Sequence, residues 1–383
     1  MSETYILEGV TVLDFTHVVA GPYTTRVLAD MGATVIKVDR IPDNPNGYVR
    51  SAGSISNNVG KKSISIDLKS EDGVSVALEL ASKADVVVEN FKPGVMKELG
   101  LDYGTLSKKN PRIILASISG FGQTGSQSHR RAYGATAHAE AGLMWVQQIA
   151  SRAHEPFAPG MTVADILTAM NTVSGILACL YHRERSGLGQ SIDITLMESQ
   201  LAMLSEVAQG PLTRGVPEKE WDATRHPVHA AKDGYVTINI NSLRNWRRIA
   251  KALSDENESM PDQMNEANQL VGQWVGGFTV EEVSRKMEET GAPYGIMRSL
   301  YEALENPYFS ERDMIREISD PIEGKFSVIN TPVHFSDSLI GPSSLGSPLA
   351  GQDTIEILKS IGYADHRISQ LLESGVVARQ IPK

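Results

Sequence analysis

The sequence predicts an α/β protein, a doubly wound, Rossmann-like large domain joined to a smaller α+β domain. β-Branched apolar runs at 10–15 and 34–39 flank a helical stretch at 23–31, which makes one βαβ unit. The alternation then recurs, with strands expected at 63–68, 86–88 and 113–117 and a helix at 71–81, so the strands should form a parallel sheet. A length of 383 residues exceeds one ordinary domain, and Gly210-Pro211 followed by Gly215-Val216-Pro217 interrupts the chain before a new pattern starts.

Taken in order, Ala20-Gly21-Pro22 ends the first strand segment and opens the first helix. A long apolar helix begins at the stretch Pro159-Gly160-Met161-Thr162-Val163-Ala164-Asp165 and runs to Tyr181-His182-Arg183. Ile166, Met170, Val173, Leu177 and Leu180 recur along it at helical spacing and read as its core-facing stripe. A strand at 190–196 and a helix at 197–207 complete the large domain. The expected division is a large domain at 1–205, a linker at 206–222, a small α+β domain at 223–313, a linker at 314–342, and a C-terminal segment at 343–383 returning to the large domain. The small domain should hold a strand at 235–240 and helices at 243–253 and 280–289, the second linker should be extended over 324–335, and a last helix is expected at 354–361.

Hydrophobic residues at 41% and charged residues at 21% match ordinary globular usage, which excludes a disordered or fibrous chain. A net charge of −10 without a long basic run argues against nucleic-acid binding, so any anionic ligand needs a local basic pocket. Cys179 is the single cysteine; it lies in an apolar helix, where it reads as a small core residue, and it fits a reducing cytoplasm. The N-terminus has no basic region and no apolar run reads as long enough to cross a bilayer, so a soluble cytoplasmic protein without a membrane partner is expected.

The first βα turn lacks the Gly-x-Gly-x-x-Gly fingerprint, so a nicotinamide cofactor is disfavoured and another ligand should fill the crevice beyond the strand ends. Asp165 falls in the first turn of its helix, where unpaired N–H groups and the positive dipole end favour an ionised carboxylate. Such a carboxylate can act as a nucleophile. Taken alone, the stretch reads first as a capping box between Thr162 and Asp165.

Six segments in order carry a resemblance: Asp14-Phe15-Thr16-His17-Val18-Val19-Ala20-Gly21-Pro22, the run at 32–39, Lys61-Lys62-Ser63-Ile64, the run at 84–94, Ile118-Ser119-Gly120-Phe121-Gly122-Gln123-Thr124-Gly125, and the Asp165 stretch. Over nearly its whole length the chain resembles the class III CoA-transferases, the family of formyl-CoA:oxalate CoA-transferase, carnitine CoA-transferase and the alpha-methylacyl-CoA racemases. The resemblance implies coenzyme A bound as an acyl-CoA substrate, a small carboxylic acid as acceptor, no metal, and an interlocked homodimer. It implies that Asp165 attacks the thioester, forming a mixed anhydride and then an aspartyl-CoA thioester. It places CoA along the backbone at Val18 and Val19, near Arg40, over Ile66 to Lys69, and against Asn90, Phe91 and Lys92. Lys61, Lys62 and Arg131 are further cations available to its phosphates. Glu98 stands where members of the family often carry Arg, with Lys97 as the substitute.

Tyr133 occupies the place of the racemase histidine, as in the transferases, and a phenol is poorly suited to reversible proton abstraction near neutral pH. His138 is the reserve acid/base group, and His17, His226 and His229 are candidates for the acyl pocket. The glycine-rich loop of formyl-CoA:oxalate CoA-transferase is missing between Arg225 and Tyr235, which argues against oxalate. CoA transfer, racemisation of an acyl-CoA, and CoA binding without catalysis are the three functions in play.

Overall fold

The computed structural model describes residues 4–41, 50–217, 227–253, 261, 264–342 and 345–380. The chain divides into two compact units, 1–221 with 311–383, and 222–310. In the first, β1 (Thr11–Asp14), α1 (Ala20–Asp30), β2 (Thr34–Asp39), α2 (Ala52–Ser56), β3 (Lys62–Ile66), α3 (Glu71–Lys83), β4 (Val86–Glu89), α4 (Val95–Glu98), α5 (Tyr103–Lys109) and β5 (Ile114–Ser119) follow one another. Then come α6 (Gly134–Glu140), α7 (Leu143–Ser151), the long α8 (Val163–Ser186), β6 (Ser191–Thr195), α9 (Leu196–Met203) and α10 (Ser205–Arg214).

The second unit is a three-stranded antiparallel sheet of β7 (Val228–Ala230), β8 (Tyr235–Ile238) and, after α11 (Leu243–Leu253), α12 (Met264–Val275) and α13 (Val280–Thr290), β9 (Tyr294–Ile296). Trp246, Ile249, Val271, Val275, Val283 and Met287 from the three helices close over Val236 and Ile238. α14 (Leu300–Leu304) and α15 (Pro307–Glu311) follow.

The chain then returns to the first unit. β10 (Ile315–Asp320) and β11 (Gly324–Ile329) form an antiparallel ribbon, and α16 (Thr354–Ser360), α17 (Asp365–Glu373) and β12 (Val377–Ala378) end the chain. The main sheet has the order β12-β3-β2-β1-β4-β5-β6, parallel except for β12, which pairs antiparallel with β3. Its central strands are apolar on both faces, because helices cover both sides. The C-terminal segment is fastened to β3 by Ser63 N–H donating to Asp353 Oδ2 at 2.8 Å and Ser65 N–H donating to Thr354 Oγ1 at 3.3 Å.

Several expectations are corrected. The break at Gly210-Pro211 is inside α10, which accommodates Pro211 and ends at Gly215 with φ +59°. β10, α17 and β12 were not foreseen; β12 is two residues long and owes its conformation to its partner strand. The α8 stripe is also displaced: Ile166 and Met170 are exposed, while Ala164, Thr168, Ala169, Thr172, Val173 and Ile176 are buried. The buried threonines return their hydroxyls to the carbonyl one turn back, Thr168 to Ala164 at 2.7 Å and Thr172 to Thr168 at 2.8 Å. They therefore pack as small residues and let α8 lie close to α1, which a hydrophobicity pattern does not register. α8 is, by length and composition, long and apolar enough to cross a membrane, contrary to expectation; here its buried face carries Asp165 and Arg183 and packs in the core.

Candidate active site

The strand order reverses between β1 and β4, and ligands of open parallel sheets bind beyond the carboxyl ends of the strands at such a point. A cleft of about 250 Å³ opens there. It is lined by His17, Val18 and Val19 after β1, Asn90, Phe91 and Lys92 after β4, Ser119 and Gly120 at the end of β5, and Arg130, Arg131, Tyr133 and Asp165. An amide clamp ties the first two loops: His17 N–H donates to Asn90 Oδ1 at 2.8 Å and Asn90 Nδ2 donates to His17 O at 2.7 Å. Beside the clamp Val18 has φ +72°, a left-handed conformation that costs a β-branched residue on the order of 1–3 kcal/mol.

The loop rests on a buried ionic cluster. Asp14 Oδ1 accepts Thr16 N–H at 2.8 Å and Thr16 Oγ1 at 2.6 Å, and Asp14 Oδ2 accepts Thr25 Oγ1 at 2.6 Å and Lys61 Nζ at 3.0 Å. Lys61 Nζ also donates to Pro22 O at 3.0 Å and Asn58 Oδ1 at 2.9 Å, while Lys37 Nζ donates to Thr16 O at 2.8 Å. Burial opposes the charge on Asp14, but Lys61, Lys37 and the two hydroxyls hold its carboxyl well below the usual range. Gly21 completes the packing, since a Cβ there would fall 2.2 Å from Thr16 Cβ.

Asp165 stands where two hollows meet. It lines the cleft and also a second hollow of about 380 Å³, shared with Val18, Val19, Tyr133, Gly134, His138 and residues 158–162. The expected capping box does not form: the Thr162 side chain caps nothing, and the Ala164 N–H donates instead to His138 Nε2 at 3.1 Å. Gly134 leaves space for the carboxylate, because a Cβ there would lie 2.3 Å from Asp165 Oδ2. Burial raises the Asp165 carboxyl above its ordinary range, opposed by His138 and by its own backbone N–H. The dipole was expected to keep this group low, and desolvation outweighs it. A third buried carboxyl, Glu89, accepts the Phe91 N–H at 2.8 Å, and burial pushes it up to about 7 against the Ser117 and Phe91 hydrogen bonds.

Of the residues singled out in the sequence, Val18, Val19, Asn90, Phe91, Lys92, Arg131, Tyr133 and Asp165 come together here with His17. Arg40, Lys69 and Lys97 are exposed and outside the cleft lining, after β2, after β3 and on α4 respectively, and Glu98 is exposed beside Lys97. Ile66 is a core residue paired with Val377, so its side chain offers a ligand nothing. Lys61 is enclosed by its Asp14 pair, so it is not the phosphate cation expected, and Lys62 lies outside the cleft lining in an exposed pair with Glu356. His229 is buried on β7 in the 222–310 unit, with its imidazole lowered by burial, rather than in a loop. His226 lies outside the described residues. Cys179 is buried, and burial raises its thiol.

Arg130 was missed. It stacks over Phe121 at 4.5 Å and pairs with Glu140 at 2.9 Å, and its only sequence signal was its place beside Arg131. The buried Glu89 and the cap from His138 were also missed, the latter because it joins positions 26 residues apart.

Comparison with known proteins shows the family and the fold. Residues 7–354 match the family described as CoA-transferase family III. The chain is 35% identical over 403 residues to succinyl-CoA:glutarate CoA-transferase of Mus musculus, covering 98% of this chain and 91% of that protein. It is 30% identical over 381 residues to the succinyl-CoA--L-malate CoA-transferase alpha subunit of Chloroflexus aurantiacus, covering 93% and 88%. The crystal structure of a hypothetical protein from Mycobacterium tuberculosis aligns with a TM-score of 0.82 at 26% identity, covering 94% of this chain and 100% of that one. With the family's match spanning both units and the cleft between the strand ends, the chain belongs to CoA-transferase family III and is an enzyme of that class.

Proposed function

We propose that this enzyme moves CoA from an acyl-CoA donor to a short carboxylic acid, with Asp165 as the covalent nucleophile. The observation that carries the reading is the position of Asp165, a buried and sparsely partnered carboxylate at the junction of two hollows. The cleft with Lys92, Arg130 and Arg131 suits CoA, with Val18, Val19, Asn90, Phe91 and Tyr133 along it. Arg40, Lys69 and Lys97 follow the carboxyl ends of parallel strands and so stand on the same side of the sheet, available to phosphates. The second hollow, with Ala135, Ala158, Pro159 and Met161, suits the acyl group.

In the proposed sequence an Asp165 oxygen attacks the thioester carbonyl, the C–S bond breaks, and CoA leaves as thiolate, giving a mixed anhydride. The thiolate then attacks the Asp165 carbonyl and expels the donor acid as its carboxylate, leaving aspartyl-CoA. The acceptor carboxylate attacks that thioester, CoA leaves again, and its attack on the acceptor acyl carbon releases the new acyl-CoA and restores Asp165. No net proton is required. Racemisation is less well supported, because the reserve base His138 is buried and its Nε2 already accepts the Ala164 N–H.

The named relatives carry glutarate and L-malate in their names, so short dicarboxylates lead the acceptor panel. The proposal includes a homodimer, interlocked and working in a reducing cytoplasm; the exposed Ile166, Met170, Leu201, Met203 and Leu212 of α8, α9 and α10 supply apolar surface for the second copy. The test is a panel of acyl-CoA donors against short mono- and dicarboxylates, read by mass spectrometry of the CoA products. Acceptor-dependent formation of a new acyl-CoA is expected. Rapid α-deuterium exchange without any acceptor, and no transfer, would overturn the reading.

A further inference from the structure

We propose that His138 is a positioning residue for Asp165, supplying from α6 the hydrogen-bond acceptor that the start of α8 lacks and so fixing the turn that holds the carboxylate over Gly134. This rests on the reading of Asp165 as nucleophile. The first-turn N–H groups of a helix need outside acceptors, and the residue at the N-cap usually provides one. Here Thr162 provides none, although its hydroxyl is of the right type. Ala164 is fully buried, so its N–H has no access to water, and His138 Nε2 is its acceptor at 3.1 Å.

Ala164 is the residue immediately before Asp165, so the bond fixes the Val163–Ala164 peptide, one residue ahead of the nucleophile. Gly134 lies between the two groups: a Cβ there would stand 2.3 Å from Asp165 Oδ2 and 3.9 Å from His138 Cε1. An acceptor nitrogen must carry a free lone pair, which an imidazolium does not have. Burial holds the His138 imidazole below its usual range even though Asp165 pulls it upward, so the neutral form the bond needs is the favoured one. His138 therefore acts on the nucleophile through the Ala164 N–H, to which its Nε2 is committed.

Three substitutions separate acceptor geometry from mere filling of space. A glutamine can place Oε1 near the position of Nε2, an asparagine reaches only as far as Nδ1, and a leucine fills the site without an acceptor. The readouts are the single-turnover rate of acylation from donor acyl-CoA and the dissociation constant of CoA, with Asp165→Asn measured alongside. His138→Leu and His138→Asn should acylate about 100-fold more slowly, as expected for a displaced reacting group, with CoA affinity within about twofold of the parent. His138→Gln should acylate within about threefold of the parent. If Leu and Asn variants do not fold, His138→Gln decides alone, a near-parental rate supporting the role and a rate reduced 100-fold overturning it. A parental rate in folded His138→Leu, with Asp165→Asn inactive, overturns the positioning role and leaves the nucleophile standing. Turnover retained in Asp165→Asn overturns both.

Discussion

Asp14 and Asp165 are both buried and both belong to the frame of one cleft, yet they are held in opposite ways. Asp14 has four hydrogen-bond donors, one of them the ammonium of Lys61, and its carboxyl is held low. Asp165 has no cation bonded to it among the described residues, and burial raises it. A fully satisfied charge is spent on architecture, and in this fold it supports the turn that bears Val18. A poorly satisfied one keeps its lone pairs for a ligand. Glu89 stands between them, partnered by neutral donors alone and brought to about 7.

The largest effect that tests this contrast belongs to Asp165→Asn. Turnover should fall by at least about a thousandfold, or about 4 kcal/mol of barrier, because an amide cannot form the anhydride. Stability at pH 7 should not fall, and the melting temperature should equal or exceed the parent's, since the variant no longer desolvates a charge. For the other aspartate the order reverses. Lys61→Met leaves Asp14 charged and buried, and should cost about 3–5 kcal/mol in denaturant unfolding. Replacing both partners with apolar residues should cost less than the sum of the single changes.

Glu89→Gln sharpens the comparison at an intermediate level. The folded pKa of Glu89 is raised, so its contribution to stability is fully present below about 4.5 and is lost as pH rises through about 7. The glutamine variant removes that loss, so its stability relative to the parent should grow between pH 5 and pH 8 by up to about 3 kcal/mol, measured by unfolding at each pH. Gly134→Ala should have the smallest effect, about 100-fold on kcat with a modest change in melting temperature, because the new Cβ collides with the Asp165 carboxylate, reaches His138 only at ordinary contact distance, and so displaces the carboxylate.

The sequence makes the satisfied part of this contrast hard to see and the chemical part easier. The parallel sheet was legible because Val12, Val35, Val87 and Leu115 sit in continuous apolar runs, which is what burial on both faces demands. Asp165 was legible from its place at a helix start within a recognisable stretch, and the strand-end loops through Val18 and Phe91 from theirs. Lys61 looked like a phosphate ligand because a lysine in a basic pair gives no local sign that Asp14 encloses it from 47 residues away. The core face of α8 was misplaced because Thr168 and Thr172 count as polar in a sequence while their hydroxyls are satisfied within the helix. His138 could be named, but its bond to Ala164 depends on the packing of α6 against α8, which no spacing encodes.

The central claim is that Asp165 is the sparsely partnered carboxylate because it becomes acylated. The most direct measurement mixes the enzyme with donor acyl-CoA, adds hydroxylamine, and maps the modified peptide by mass spectrometry. An activated aspartyl carbonyl is the species hydroxylamine traps, so the account predicts a hydroxamate on Asp165, dependent on donor and absent from Asp165→Asn. A hydroxamate on another residue, or none at Asp165 in an enzyme that turns over, would contradict it.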